Sequence, residues 1–192
     1  VIKKKAGFLK GNVDAVNITD NQTAIVRMSS ISAGVLAMQE GLEPVIQITC
    51  RDRNRIAIQS DVLGAYAMGV KNILALTGDY TGKGFGGQGA PVFDLDSVNL
   101  LVMLSLLTER INDSGDPDGF FAGCAVSPFK RTEAESFAQY AKLCRKSAAG
   151  AQFVITQLGY DARKFKELIQ MQCFNGINLP TIGSVYVLTP RA

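Results

Sequence analysis

The sequence contains no histidine and no tryptophan in 192 residues. Without an imidazole, any acid–base chemistry must use carboxylates, Lys, Tyr, Cys or water. A zinc site would need thiolates, yet Cys50, Cys124, Cys144 and Cys173 are far apart and form no CxxC pair. A tetrahedral zinc centre is therefore not expected; the expectation is reduced, mostly buried thiols. No apolar run reaches the ~20 residues of a membrane span. Residues 100–107 are apolar but short, and read as a buried helix face. Charge is also scarce: the net value is +3, and the basic clusters are only Lys3-Lys4-Lys5 and the trio Arg51, Arg53 and Arg55. No polyanion-binding field follows, so a nucleic-acid partner is not expected. Arg53 and Arg55 are expected on a solvated helix start. The first residues lack the charged, apolar and small-residue succession of a secretory leader. A cytoplasmic location without a membrane partner is the expectation.

What is present is a regular alternation of strand-like and helix-like segments. Strands are expected over 13–19, 44–50, 72–77, 120–127, 152–157 and 181–188. Helices are expected over 29–40, 52–69, 94–112, 132–149 and 162–175. Ser29 should open the first of these helices, Asp52 should cap the second, and Gly69 should stop it. Thr132 with Glu135 three residues later reads as a capping box. The strands NILALT, FAGCAV and QFVIT are continuous apolar runs, the pattern of parallel strands buried on both faces. About six strands and five helices in βα rhythm point to an α/β barrel and a single domain over 1–192. A closed (β/α)8 barrel needs eight strands and typically about 250 residues. Six parallel strands with two open edges would expose unpaired backbone. The expectation is thus part of a larger barrel, or one completed by another chain.

Polar residues gather where strands should end, the place where parallel α/β folds collect ligand chemistry. Thr19-Asp20-Asn21 suits a turn or a cap. Gln47 lies inside a strand and must find partners, as a core amide or toward a ligand. In Thr77-Gly78-Asp79 the glycine permits close backbone approach and the aspartate follows at the rim. Phe93-Asp94 reads equally as a buried ring beside an N-cap. Ser127-Pro128-Phe129 ends one strand and Thr156-Gln157 another. Arg145-Lys146 sit near a helix C-terminus, where the helix dipole favours cations. The segment 81–90, TGKGFGGQGA, is Gly-rich, with neither Walker nor Rossmann spacing. It reads as a flexible loop or an active-site lid.

These motifs, in order, resemble the methylenetetrahydrofolate reductases. The likeness is carried by VNITDN at 16–21, QITCRDRNRIAIQSDVLGAYAMGVKNILALTGD at 47–79 and PVFDLDS at 91–97. It implies a (β/α)8 TIM barrel of which roughly strands 2 to 7 are present, the chain beginning inside the first helix and stopping after the seventh strand. It implies FAD, with FMN as the other possibility, and a folate substrate. Reduced flavin N5 would pass hydride to 5,10-methylenetetrahydrofolate to give 5-methyltetrahydrofolate, in one-carbon metabolism and methionine biosynthesis. The electron donor would be NAD(P)H or a redox partner subunit, in an oligomer or complex.

Residue by residue, the resemblance assigns flavin contacts to Thr19, Gln47, Thr77, Gly78, Asp79, Phe93, Asp94, Ser127, Arg145 and Lys146. Gln47 stands where many members have histidine, and Ser127 where many have tyrosine. Arg145 and Lys146 would hold the cofactor's phosphates, as a guanidinium and an ammonium suit a pyrophosphate. Asp79 would serve both flavin and folate, and Gln157 would hydrogen-bond the folate ring, whose edge needs both a donor and an acceptor. The family's general-acid glutamate belongs to the first strand and has no counterpart in this sequence. An alternative is a flavin-binding barrel subunit that works only inside a larger electron-transfer complex. An unrelated aldolase-like barrel would need a Schiff-base lysine or a metal, and no lysine falls in an expected strand.

Overall fold

A computed structural model describes residues 2–80 and 89–188 of the chain. The chain packs as two compact units, Val1–Phe121 and Ala122–Ala192. Among the described residues six strands and six α-helices alternate, and the paired strands within each unit run parallel.

The first unit runs α1 (Ile2–Leu9), β1 (Val16–Ile18), α2 (Ser30–Gln39), β2 (Pro44–Thr49), α3 (Arg55–Ala67), β3 (Asn72–Leu76) and α4 (Ser97–Asp113). Its strands lie parallel in chain order, with Ile18 opposite Ile46, Ile46 opposite Ile73 and Ile48 opposite Ala75. Ile46, Ile48, Ile73 and Ala75 are all fully buried. Successive side chains on a strand alternate faces. Val45 and Gln47 therefore turn the other way from Ile46 and Ile48, and both are only half-buried. Helix α2 lies directly on β2: a Cβ at Gly34 would come within 2.8 Å of the Ile46 side chain. Helix α4 buries Leu100, Leu101 and Leu104 completely and leaves Val102 and Leu106 exposed, as expected for 100–107.

The second unit contains β4 (Phe121–Val126, its first residue belonging to the first unit), α5 (Glu133–Ala148), β5 (Phe153–Thr156), α6 (Ala162–Phe174) and β6 (Thr181–Ile182). Gly123 pairs with Phe153 and Val126 with Thr156; Val154 pairs with Thr181. The Phe153 ring covers Gly123 so closely that a Cβ there would fall 2.2 Å from it. The capping box at Thr132 and Glu135 forms as expected.

Several expectations need correction. Asp52 does not cap α3; Asn54 does, accepting from the Ala57 amide at 2.9 Å, because the Asp52 carboxylate is taken by Arg51. Helix α4 opens later than expected, with Asp96 bonding the Val98 and Asn99 amides. Ser29 is at the cap position of α2, but its hydroxyl makes no capping bond. Strand 13–19 contracts to three residues, and 181–188 contracts to two. After Ile182 the chain leaves the ladder: the Ser184 amide donates to Thr156 Oγ1 at 2.9 Å, and the Gly159 amide to the Ser184 carbonyl. Helix α1 lies outside the five helices read from the residue pattern; it was implied only by the resemblance, which has the chain beginning inside a helix. Of the four thiols only Cys50 and Cys124 are buried; Cys144 is intermediate and Cys173 exposed. Residues 81–88 of the Gly-rich segment lie outside the described residues. No helix among the described residues is long and apolar enough to cross a membrane.

Candidate functional site

In the first unit the three strand ends are tied together by buried charge. Asp20, one residue past Thr19, is only 4% exposed. Its carboxylate accepts from the amide and the hydroxyl of Thr49 at the end of β2, each at 2.9 Å. It also accepts from Arg53, whose other terminal nitrogen bonds Asp61 at 2.8 Å. Arg53 is thus largely buried in an ion-pair chain ahead of α3, not on a solvated helix start. Arg55 does sit exposed at that start and holds Asp94 with two charged bonds of 2.9 Å.

Arg51 is the largest fully buried side chain in the described residues. Asp52 accepts from its Nε and Nη2 at 2.7 Å each. Nη2 also donates to the Asn21 carbonyl at 2.9 Å, and Nη1 makes a long 3.5 Å bond to the Asp79 carbonyl. The hydrogen-bonded carboxylate raises the Arg51 pKa above its ordinary value, and the guanidinium lowers that of Asp52. Arg55 likewise holds Asp94 down at about 2.

Around this frame the expected site residues take their places. Thr19 lines a groove of about 510 Å³ with residues of α1, β1 and α2, among them Leu9, Ile18 and Ala37. Gln47 is half-buried and donates to Asn17 Oδ1 at 3.3 Å. Thr77 accepts from the Ser97 amide at 3.0 Å, which fixes the end of β3 to the start of α4. Gly78 has φ 89°, a left-handed conformation that glycine adopts without a Cβ clash. A Cβ there would stand 3.0 Å from Arg51 Cβ. Asp79 follows, exposed. Phe93 adopts φ 44° and its ring lies parallel to that of Tyr80, 6.3 Å between centroids. Thr19, Gly78 and Asp79 thus belong to one cluster of strand ends. The Asp94 carboxylate is engaged by Arg55 rather than capping α4.

In the second unit the Gln157 amide donates to the Val126 carbonyl at 2.7 Å, so Ser127 and Gln157 leave adjacent strand ends. Gln157 is exposed and Ser127 half-buried. Arg145 and Lys146 separate: Arg145 is exposed, while Lys146 is buried and its ammonium donates to the Ala125 carbonyl at 2.5 Å. Helical side chains slant toward the helix N-terminus. From the last turn of α5 the lysine therefore reaches back beside β4, one residue before its end, and Arg145 does not accompany it. Burial pushes the nearby Cys124 thiol up to about 11 against the opposing pull of Lys146.

The sequence reading took Asp20 for a turn or cap residue and gave Arg51 and Arg53 no part in the site. The signal for the two arginines was the run of alternating charge Arg51-Asp52-Arg53 directly after a buried strand, where charges need partners. No cluster of three metal-ligating side chains occurs among the described residues.

Residues 7–190 match the family model described as methylenetetrahydrofolate reductase. A Caenorhabditis elegans protein described as "Probable methylenetetrahydrofolate reductase (NADPH)" is 30% identical over 166 residues, covering 86% of this chain and 23% of that protein. The chain thus spans about a quarter of the length of that curated relative. The breadth of the family match and the level of identity, taken together, place the chain in the methylenetetrahydrofolate reductase family.

Proposed function

We propose that this chain is a flavin- and folate-binding part of a (β/α)8 barrel that reduces 5,10-methylenetetrahydrofolate to 5-methyltetrahydrofolate. The observation that carries the reading is the Thr77-Gly78-Asp79 turn. Gly78 has φ 89° and Asp79 presents an exposed carboxylate directly after a buried strand. Each unit carries donors and acceptors suited to such ligands: the Thr19 hydroxyl, Gln47 amide and Asp79 carboxylate in the first, and the Ser127 hydroxyl, Gln157 amide and Lys146 ammonium in the second. FAD is the favoured cofactor and FMN the alternative; when bound, the reduced flavin supplies hydride from N5 to the methylene carbon of the folate. Thr19, Gln47, Thr77, Gly78 and Ser127 would orient the ring system, with Phe93 packing beside it. Asp94 would act through its backbone, and Lys146, beside the end of β4, would be the cation offered to the phosphates, without the exposed Arg145. Asp79 would accept from the donor edge of the pterin, and Gln157 would both donate to it and accept from it. Fixed positioning of this kind is what the protein contributes to hydride transfer. Reducing equivalents would come from NADPH, as the relative's description suggests, or from a partner subunit, in the cytoplasm.

The test is an absorbance spectrum of the purified chain, followed by addition of methylenetetrahydrofolate to the reduced protein. Flavin bands that reappear with the folate support the reductase. Flavin that stays reduced until a second subunit is added supports the alternative, a barrel subunit of an electron-transfer complex. A colourless chain that cannot be reconstituted with either flavin overturns both. Within the reductase reading, Asp79→Asn slows reoxidation by folate more than reduction by the donor, and Gln157→Ala weakens folate binding at unchanged flavin content. Equal slowing of both half-reactions, or loss of flavin from Gln157→Ala, would remove the folate roles.

A further inference from the structure

We propose that Arg51 is the positioning residue for the Asp79 carboxylate, a clamp that makes the strand-end loops after β1 and β3 move as one. The proposal rests on the reductase reading for its catalytic consequence, but its geometry stands alone. A guanidinium only 2% exposed has to satisfy its donors within the protein. Arg51 does so by spanning the strand ends: Asp52 beside it, the Asn21 carbonyl after β1, and the Asp79 carbonyl after β3. Its own carbonyl accepts from the Val92 amide at 2.8 Å, which anchors the chain returning ahead of α4. Its stem also underlies Gly78, the neighbour of Asp79. The loop it holds on the β1 side is conformationally costly, for Asn21, Thr23 and Ala24 all have positive φ. Asp52 neutralises the cation through a two-bond pair. The influence on Asp79 is therefore orientation, with little net field. Lysine cannot replace it. An ammonium donates from one point, whereas these acceptors lie around a planar fork.

The experiment compares Arg51→Lys, Asp79→Asn and the double variant, all in the full chain. Arg51→Lys is expected to keep flavin content and the rate of flavin reduction, and to slow reoxidation by methylenetetrahydrofolate by about 10- to 100-fold, the scale of a misplaced group. The double variant is expected to be no slower than Asp79→Asn alone. Losses that multiply would overturn the proposal, because Arg51 would then act on catalysis independently of Asp79. Amide hydrogen exchange supplies an arm that needs no activity. Arg51→Lys should speed exchange at residues 20–24 and at 78–80 together, with the amides of β2 and β3 still protected. Unchanged exchange in either loop refutes the clamp, whatever the flavin result. A wild-type chain with no flavin and no turnover defeats the reductase reading, and exchange alone then decides the clamp. If Arg51→Lys does not fold, Asp52→Asn loosens the guanidinium from its two-bond partner. Exchange at 20–24 and at 78–80 should then rise together; unchanged exchange in either loop would again refute the proposal.

Discussion

Replacing Asp20 by asparagine should destabilise the chain by breaking a buried ion pair at the strand ends. The carboxylate is 4% exposed and accepts three bonds, two from Thr49 and one from Arg53. Asparagine can keep an oxygen in the place of Oδ2, which accepts all three bonds, but it removes the charge that pairs with Arg53. Breaking a buried ion pair by removing one partner costs about 3–5 kcal/mol. Two facts move the expectation below that range. Arg53 retains Asp61 at 2.8 Å, and its side chain is 19% exposed, so the cation left behind is not stranded. The expected loss is therefore about 2–3 kcal/mol, which for a chain of this size lowers the melting temperature by roughly 5–10 °C. Urea unfolding followed by circular dichroism measures it, with a lower midpoint and an unchanged slope. Arg53→Met should cost a similar amount, and the two changes together much less than their sum. A loss below about 1 kcal/mol, the range of exposed ion pairs, would refute the claim that Asp20 locks β1 to β2.

Three further outcomes follow from the same geometry. Arg55 holds Asp94 at about 2, below its ordinary value near 3.8; a depressed carboxylate adds stability above its unfolded pKa and loses it as pH falls through the folded one. The difference in urea midpoint between wild type and Arg55→Met should thus be constant from pH 7 to 5 and shrink steadily from pH 4 to 2; a gap still at its full neutral-pH size at pH 2 would contradict the pair. In thiol titration of the folded chain, Cys173 should react first, while Cys50 and Cys124 should react only on unfolding, since burial holds Cys124 at about 11; rapid modification of Cys124 would show that β4 is open. Gly123→Ala should cost about 1–3 kcal/mol from overpacking against the Phe153 ring, and Phe153→Leu in the same chain should recover part of it in thermal melts; an additive loss would place the clash elsewhere.

The contrast between what could and could not be read from the sequence has a simple physical origin: the range of the deciding interaction. Strands β2 to β5 and helices α2 to α6 were legible because each is specified within its own segment. Apolar runs such as NILAL mark strands buried on both faces, and Thr132 with Glu135 caps α5 by a contact three residues long. Gly78 and Asp79 were legible because a glycine after a buried strand already implies a turn. The cap of α3 was misread because Asp52 and Asn54 are both good caps by local chemistry. The choice falls to Arg51, which occupies Asp52 and leaves Asn54 to the helix. Strand β6 was overextended because the β-branched and aromatic run VYVL at 185–188 suits a strand, while the Thr156 hydroxyl accepts the Ser184 amide away from the ladder. The lock and the clamp were least visible of all. Asp20 meets Thr49 across 29 positions, and Arg51 meets Asp79 across 28. Only the parallel register of β1, β2 and β3 brings those strand ends side by side. Charges that looked like ordinary surface decoration at one strand end become, through that register, the groups that orient the neighbouring one. A buried arginine directly after a strand is therefore best read as a link to adjacent strand ends. In this chain the link runs to Asp79, the residue whose placement the proposed chemistry needs most.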